Sequence, residues 1–434
     1  MNRRNLADGL VSDVAGGVVF SGTVTPHDLE SGRLVTGTAG PATAAPGPKI
    51  GLMFFDVPEE AARAQAFQLY ENLTALLGAR GLTLGNIVRQ RLFLTDVRDL
   101  AAIERVMDAV LAGPLPATSV IVVPDHLMDP EIKVYLDVVA AADRGWARDG
   151  HALGSGDRRY PDAIRCGDLL FVSAIDGLPA AGEAAAVAPP SLLRTDRERQ
   201  AFDETIRTFE RLAEILKDAG SDIAGVLKVN GWVRLPMREY GSVVLARNEY
   251  FDSSERTMMA STGLQVAGVG SAEALLAFDA IALADRSAGK KVTGAASAIS
   301  SPYVAGAAAG GGLVITSGEI PVDIGDQRVL AATTGLSPAG RLLRFGRLDA
   351  ESGFEARAFK VYEVLAAHLA AAGRAFRDVV HQTVFTTDPQ LVLELEMVAR
   401  RFFGGEQPPT TVIPIVSTTP FPAARLEIEL VASG

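Results

Sequence analysis

A short apolar segment that ends in serine occurs three times along this chain. It reads Val-Val-Phe-Ser-Gly at Ser21, Leu-Phe-Val-Ser-Ala at Ser173 and Val-Ile-Thr-Ser-Gly at Ser317, so the copies stand roughly 150 residues apart. Each copy is followed by a variable loop, a long amphipathic helix, a glycine, a strand, a second helix and a closing strand. Solenoid repeats run to only ~20–50 residues, so this repeat is a whole domain. The sequence therefore predicts three similar domains on one chain, a covalent counterpart of a trimer.

The length and hydrophobicity of the chain agree with this division. At ~150 residues per domain, 434 residues correspond to about three domains. Hydrophobic residues make up 48% of the chain, which is enough for a core in each. The predicted repeats span residues 1–145, 158–286 and 300–434, and polar segments that contain glycine join them.

Charge and motif content exclude several classes of function. The net charge of −11, without Lys/Arg clusters, argues against nucleic acid and membrane surfaces as partners. The first residues show no apolar leader, which favours the cytoplasm. The single cysteine, Cys166, is expected to be a buried structural thiol. The five histidines lack metal-ligand spacing and no dinucleotide or phosphate-loop motif is present, so neither metal nor cofactor is expected.

Helix signals recur at equivalent places in the repeats. Thr195 and Glu198 have the spacing of a capping box, as do Ser352 and Glu355. The first helices are predicted to stop before glycines, namely Gly81, Gly220 and Gly373. The fold class is therefore α+β, with a mixed sheet in each repeat and two helices on one face of that sheet. Three such sheets around a shared axis would cover one another's bare faces.

Motifs in all three repeats resemble the RidA/YjgF family, the reactive-intermediate (enamine/imine) deaminases. Opening motifs occupy 303–323 and 160–173, middle motifs occupy 372–388 and 81–96, and a closing motif occupies 409–429. The resemblance covers nearly the whole chain, and repeat two is the most divergent copy. It implies chorismate-mutase-like α+β subunits that form trimers with one site in each intersubunit cleft. Here the three subunits would form an intramolecular pseudo-trimer whose clefts can diverge independently, and a further homo-oligomer is compatible with that arrangement.

The family's carboxylate-binding arginine has no counterpart in this chain. The resemblance places it, in a Pro-Ala-Arg-Ser turn, at Thr118, Ser261 and Thr410, and Thr411 follows the last of these. Thr118, Thr410 and Thr411 are expected to bind substrate. A hydroxyl cannot replace the charge of a bidentate arginine. The substitution implies a substrate that diverges from ordinary 2-imino acids.

The family's water-positioning glutamate corresponds to Tyr135, Ala277 and Glu427 in the closing strands. Only Glu427 could activate water or carry a proton, which makes it the expected catalytic residue. The alternative is that Glu427 is one of three charged residues, with Arg425 and Glu429, on the polar face of an edge strand.

Further positions of the family's site are expected to bind substrate. They are the serines Ser21, Ser173 and Ser317, the tyrosines Tyr160 and Tyr303, and the helical acids Glu104 and Glu396. The serines could instead bond local backbone, and the acids could be solvated. One cleft is expected to combine Glu427 with Thr410 and another to combine Tyr135 with Thr118, with repeat two as a degenerate, structural member.

The leading hypothesis is therefore a small-molecule enzyme of the RidA-like superfamily. It would carry out acid/base or hydrolytic chemistry on an imine, enamine or related conjugated intermediate at an inter-repeat cleft, in specialised biosynthesis. One alternative is a chorismatase-like enzyme. The other is a non-catalytic protein that binds a metabolite or acts as a scaffold.

Overall fold

The structure is a computed structural model of the 434-residue chain. It describes residues 11–37, 53–124, 129–143, 149–151, 159–179, 186–253, 258–285, 289–293, 304–323, 328–330, 336–341 and 352–434, with the side chains of 53–60, 149–151, 253 and 352 excepted.

The first unit is a mixed sheet with two helices. Its elements are β1 (Val18–Phe20), α1 (Met53–Gly78), β2 (Ile87–Leu94), α2 (Leu100–Val110), β3 (Ala117–Val122) and β4 (Val134–Ala141). The strand order is β1-β4-β2-β3, in which β2 pairs parallel with β3 and antiparallel with β4.

The second and third units repeat this arrangement. The second contains β5 (Asp149–His151), β6 (Ala163–Cys166), β7 (Leu169–Ile175), α3 (Asp196–Asp218), β8 (Val226–Val233), α4 (Gly241–Ser253), β9 (Ala260–Gln265), β10 (Gly268–Val269) and β11 (Leu276–Leu283). The third contains β12 (Lys291–Thr293), β13 (Ala307–Gly310), β14 (Leu313–Thr316), β15 (Val322–Asp323), β16 (Arg328–Val329), α5 (Pro338–Arg341), α6 (Ser352–Ala371), β17 (Val379–Thr386), α7 (Val392–Phe403), β18 (Thr410–Pro414), β19 (Ser417–Thr418) and β20 (Leu426–Ser433). The predicted α+β class, with two long helices to each mixed sheet, is confirmed.

The predicted helix signals have clear structural counterparts. Thr195 is the N-cap of α3, where its Oγ1 accepts from the Glu198 amide at 3.1 Å and Glu198 Oε2 accepts from the Thr195 amide at 2.8 Å. Gly81, Gly220 and Gly373 follow the three long helices with φ of 72°, 82° and 73°, which only glycine adopts without strain. Helix α6 begins at Ser352, whose side chain is not among those described. The capping box expected at Ser352 and Glu355 therefore lies outside the described side chains.

Each sheet buries one face beneath its own helices and the other face against the other two units. Two apolar clusters draw on all three units: one contains Phe20, Phe171 and Ile315, and the other contains Phe93, Trp232 and Phe385. Cys166 lies in the first cluster and is 1% exposed, as expected of a structural thiol.

Strand pairing also crosses from unit to unit. Strand β10 of the second unit extends the first sheet beside β3, and β19 of the third unit extends the second sheet beside β9. Between the first and third units, the Thr23 amide donates to the Thr410 carbonyl at 3.0 Å. Each unit therefore contacts both of the others through backbone at a sheet edge.

Candidate functional site

The strand registers place the three family turns at equivalent positions. Thr118, Ser261 and Thr410 lie beside Gln90, Val229 and Gln382 of the parallel central strands. Likewise Tyr135, Ala277 and Glu427 lie opposite the aromatic residues Phe93, Trp232 and Phe385. Equivalent positions in the three clefts can therefore be compared directly.

Two of the family serines join neighbouring units. Ser173 Oγ accepts from the Thr118 amide of the first unit, and Ser317 Oγ accepts from the Ser261 amide of the second, both at 2.9 Å. Each hydroxyl also donates to a carbonyl of its own unit, that of Pro161 at 2.6 Å or that of Ala305 at 2.5 Å. These serines hold the turns in place, and their protons are already engaged.

The third serine behaves differently. Ser21 Oγ accepts from the Val138 amide at 2.9 Å and donates to the Gly22 carbonyl, both in its own unit. The turn at Thr410 instead meets Thr23 of the first unit, whereas Glu427 lies beside Gly318 and Thr262 at the boundary with the second unit. The expected pairing of Glu427 with Thr410 is therefore wrong, because each turn faces the unit that follows it.

A cleft of about 440 Å³ lies between the first and second units. It brings together four of the predicted binding residues, namely Glu104, Thr118, Tyr160 and Ser173. The Tyr160 hydroxyl donates to Glu104 Oε1 at 2.7 Å, and Arg159 pairs with the same carboxylate at 3.1 Å. Burial, together with the Glu104 carboxylate, raises the pKa of Tyr160. Ala277 occupies the glutamate position here, so the cleft holds no acid at that point.

Tyr135 does not share this cleft with Thr118, contrary to expectation. It is fully buried and its ring stacks on Phe93 at 5.0 Å between centroids, within the apolar cluster common to all three units. The turn that faces its unit is that of Thr410.

A chain of side-chain hydrogen bonds, which the sequence motifs did not reveal, lies behind two of the turns. Tyr70 donates to Gln90 Oε1 at 3.0 Å and Gln90 Nε2 donates to Thr118 Oγ1 at 3.1 Å. Tyr362, Gln382 and Thr410 repeat it, at 3.1 Å and 2.7 Å. In both units the tyrosine precedes the glutamine by 20 residues, and this repeated spacing could have indicated the hydrogen-bonded chain from the sequence. The second unit has Val229 in place of the glutamine.

A second cleft, of about 400 Å³, lies between the third and first units. Its lining comprises Thr23, Thr25, His27, Asp129, Ile132, Pro389, Val392 and Val412. Glu396 is on the same helix as Val392, and its backbone carbonyl accepts from Gln407.

Glu427 lies at the boundary between the second and third units. It is 1% exposed on β20, which is an interior strand of its sheet, so the alternative of a solvated residue on an edge strand is wrong. Its Oε2 has no hydrogen-bond partner among the described residues. A Cβ on Gly318 would overlap its Oε1, so the carboxyl rests directly on the backbone there. Burial raises the pKa of Glu427 well above its usual range; Glu429 and Glu319 add to this and Lys228 opposes it.

Other ionisable groups surround Glu427. Lys228 Nζ lies 2.7 Å from Glu429 Oε2 and donates to the Thr316 carbonyl at 2.9 Å. Glu319 Oε1 lies 2.9 Å from His368 Nε2, and burial raises the pKa of Glu319. The boundary therefore holds two carboxyl groups for which burial favours the protonated form.

A buried charged layer separates the two shared apolar clusters. Each of its carboxylates accepts a hydrogen bond from a hydroxyl of the preceding unit. The pairs are Thr411 to Asp137 at 2.8 Å, Ser119 to Asp279 at 3.0 Å and Thr262 to Glu429 at 2.7 Å. Thr411, expected to bind substrate, is fully buried in this layer rather than in a cleft. The layer encloses a cavity of about 30 Å³, room for about one water molecule.

Comparison with known proteins gives the family. The family model described as endoribonuclease L-PSP matches residues 55–142 and 293–433, more than half of the chain. The chain belongs to this family. The matched residues lie in the first and third repeats, and the family resemblance noted in the sequence is confirmed.

Individual relatives are more distant. Protein DfrA of Myxococcus xanthus is 35% identical over 79 residues, 18% of this chain, and this chain spans 59% of that relative's length. The solved structure of a chorismatase has a TM-score of 0.51 at 11% identity and covers 80% of this chain and 93% of its own, which shows a common fold. E. coli TdcF with bound serine is 23% identical, with a TM-score of 0.25, over 33% of this chain and 98% of its own.

Some expectations have no structural counterpart to report. Tyr303 lies outside the described residues. Within the described ranges, no cluster of His, Cys, Asp or Glu could hold a metal ion. No helix in those ranges is both long and apolar enough to cross a bilayer.

Proposed function

We propose that this protein is a small-molecule enzyme of the RidA superfamily that carries out acid/base chemistry at the boundary between its second and third units. The observation that carries the proposal is Glu427, a buried carboxyl with an Oε2 that has no partner in the described part of the chain. A strongly perturbed carboxyl of this kind at an interface is typical of a catalytic acid.

The environment of Glu427 suits proton donation to an imine or enamine. Because burial favours the protonated carboxyl, it can protonate an imine nitrogen while water adds to the carbon. The resulting carboxylate takes a proton from the added water and returns it to the amino nitrogen as ammonia leaves. It then accepts the remaining hydroxyl proton, which gives the carbonyl product and restores the carboxylic acid. Lys228 moderates the cost of the carboxylate form.

An imine-hydrolysis assay tests the proposal. An amino-acid oxidase generates acidic, apolar and basic 2-imino acids, and semicarbazide traps those that survive. We expect the protein to reduce trapping for at least one class and Glu427→Gln to lose that effect by 100-fold or more, within the usual ~10²–10⁴-fold contribution of a general acid.

Glu104→Gln is the matched control, because Glu104 belongs to the cleft between the first and second units. If Glu104→Gln loses activity and Glu427→Gln keeps it, the reaction belongs to that other cleft. If the wild-type protein accelerates hydrolysis of no class of imine, deaminase chemistry is excluded. Circular dichroism checks that each variant is folded.

A second candidate function is metabolite binding without turnover in the cleft between the first and second units. Its volume of about 440 Å³ falls in the range of small-molecule sites, while Ala277 supplies no acid. Calorimetric binding of a metabolite that the protein never consumes, abolished by Tyr160→Phe with Thr118→Val, would favour this role.

A chorismatase-like reaction is the remaining enzymatic alternative, supported by backbone similarity alone. Consumption of chorismate, monitored by chromatography, tests it.

In all these proposals we assign the domains to 1–145, 158–286 and 300–434, and we propose that they form a pseudo-trimer, since each contacts both others.

A further inference from the structure

The cleft between the third and first units combines apolar walls with one pair of ionisable side chains. Its apolar side chains are Ile132, Pro389, Val392 and Val412. Its ionisable side chains are His27 and Asp129, and within the described part of the chain its lining includes neither lysine nor arginine. At about 400 Å³ it falls in the range of small-molecule sites, which are mostly apolar and fix a ligand through a few polar groups.

The two ionisable side chains face each other across a gap at the entrance of this cleft. His27 Nε2 lies 3.9 Å from Asp129 Oδ2, and the side chains are 32% and 36% exposed. The gap is too long for a direct hydrogen bond, but a donor nitrogen about 2.9 Å from both atoms bridges it. The other atoms of the pair are engaged: His27 Nδ1 lies 2.9 Å from Thr25 Oγ1, and Asp129 Oδ1 accepts from the Glu131 amide at 3.0 Å.

Two buried side chains of helix α1 hold the segments that carry this pair. Gln65 and Asn72 stand seven residues apart on the same face of the helix and are 0% and 4% exposed. Asn72 Nδ2 donates to the His27 carbonyl at 2.8 Å. Gln65 Nε2 donates to the carbonyl of Glu131, two residues after Asp129, also at 2.8 Å. A packed helix therefore fixes both polar groups, as a preorganised binding site requires.

The carboxylate is particular to this cleft. Asp129 precedes Tyr135 by six residues, and Ser271 precedes Ala277 by six, while Tyr135 and Ala277 occupy equivalent strand positions. Ser271 lines the cleft between the first and second units. The same place in the two clefts therefore carries a hydroxyl in one and a negative charge in the other.

A second acid adds to the negative charge beside Asp129. Glu396 follows Val392 by four residues on α7, so the two share a face of the helix. Glu104 follows Leu100 by the same four residues, and both line the cleft between the first and second units. Negative charge of this kind attracts a cation and repels an acid.

We propose that the cleft between the third and first units binds a small primary amine with an apolar body, held by Asp129 Oδ2 and His27 Nε2. The ammonium donates a charge-assisted hydrogen bond to the carboxylate and a second bond to the imidazole, whose own proton lies on Nδ1 beside Thr25 Oγ1. The apolar body of the ligand lies along Ile132 and Val392. This site is separate from the boundary to which we assign acid/base chemistry.

Calorimetric titrations test the inference with three probes of one shape, namely 2-phenylethylamine, 2-phenylethanol and 3-phenylpropionate. We expect the wild-type protein to bind the amine about 10-fold or more tightly than the alcohol and to bind the acid more weakly than either. Asp129→Asn, which keeps an acceptor for the Glu131 amide, should weaken binding of the amine about 10-fold and leave the alcohol unchanged. Glu131→Gln removes an exposed carboxylate two residues away and is the matched control, with both titrations unchanged.

Three results would overturn the inference. The first is an amine that the wild-type protein binds no more tightly than the alcohol. The second is undiminished amine binding by Asp129→Asn. The third is amine binding that Glu104→Gln abolishes and Asp129→Asn does not, because the amine would then occupy the cleft between the first and second units. If Asp129→Asn does not fold, His27→Leu decides, since it removes the second acceptor and must weaken binding of the amine more than that of the alcohol.

Discussion

Nη2 of Arg89 in the first unit lies 2.6 Å from Oδ1 of Asp279 in the second unit, and both side chains are buried. Lys228 and Glu429 form the same contact between the second and third units at 2.7 Å. At the third boundary His381 stands in the equivalent strand position, beside Thr411, which donates to Asp137. Two boundaries therefore pair a buried cation with a carboxylate, and the third has histidine at the position of the cation. This layer joins each unit to its neighbours through buried polar contacts.

Asp279→Asn is expected to destabilise the protein by about 3–5 kcal/mol, because it leaves Arg89 buried without its counter-ion. It also weakens the bond from Trp232 Nε1, 2.7 Å from the same carboxylate. Urea unfolding measures the change. Asp196→Asn removes the carboxylate of an exposed pair and should alter stability by less than about 1 kcal/mol. Equal effects from the two substitutions would contradict the role of the layer.

Ser317→Ala is expected to loosen the boundary between the second and third units. It removes the acceptor for the Ser261 amide and the donor to the Ala305 carbonyl, at about 1–3 kcal/mol for groups left unsatisfied. Hydrogen exchange at the Ser261 amide should accelerate. Ser21→Ala is the control, because the hydrogen bonds of Ser21 within the described part of the chain stay in its own unit. Unchanged exchange at Ser261 in Ser317→Ala would show that the serine does not hold the turn.

The sequence predicted the elements of each unit well, because helical periodicity, helix N-caps and helix-ending glycines are local signals. Thr195, Glu198 and the three helix-ending glycines behave as expected. The partners of Glu427 could not be predicted, because alignment of repeats shows which positions are equivalent but not which neighbour each turn faces. That direction is set by packing between units.

His381 is expected to make stability fall in acid. Burial lowers the pKa of His381 from 6.5 to about 4; Asp137 and Glu429 oppose the shift, and Arg91 and Arg89 add to it. As pH falls, the unfolded chain therefore takes up a proton before the native protein does. The stability that neutral His381 contributes is present above pH 6.5 and is lost as pH falls toward 4. The loss amounts to about 3 kcal/mol. His381→Gln should show a shallower decline in urea unfolding between pH 7 and pH 4, and parallel curves would contradict the assignment.

Glu427→Gln is expected to stabilise the protein increasingly as pH rises. Because burial raises the pKa of Glu427, the native protein holds a proton that the unfolded chain releases, and stability is lost as pH rises through the raised pKa. Glutamine mimics the protonated carboxyl and cannot ionise, so the variant escapes this loss. We expect similar stability at pH 5 and a gain of about 1–2 kcal/mol at pH 8, measured by urea unfolding, a typical gain when a functional group is removed. Glu104→Gln, at the partly exposed carboxylate that Arg159 pairs, serves as the control, with no comparable gain at pH 8. A difference between Glu427→Gln and wild type that does not vary with pH would mean that Glu427 is ionised in the folded protein, and the acid role would then fail with it.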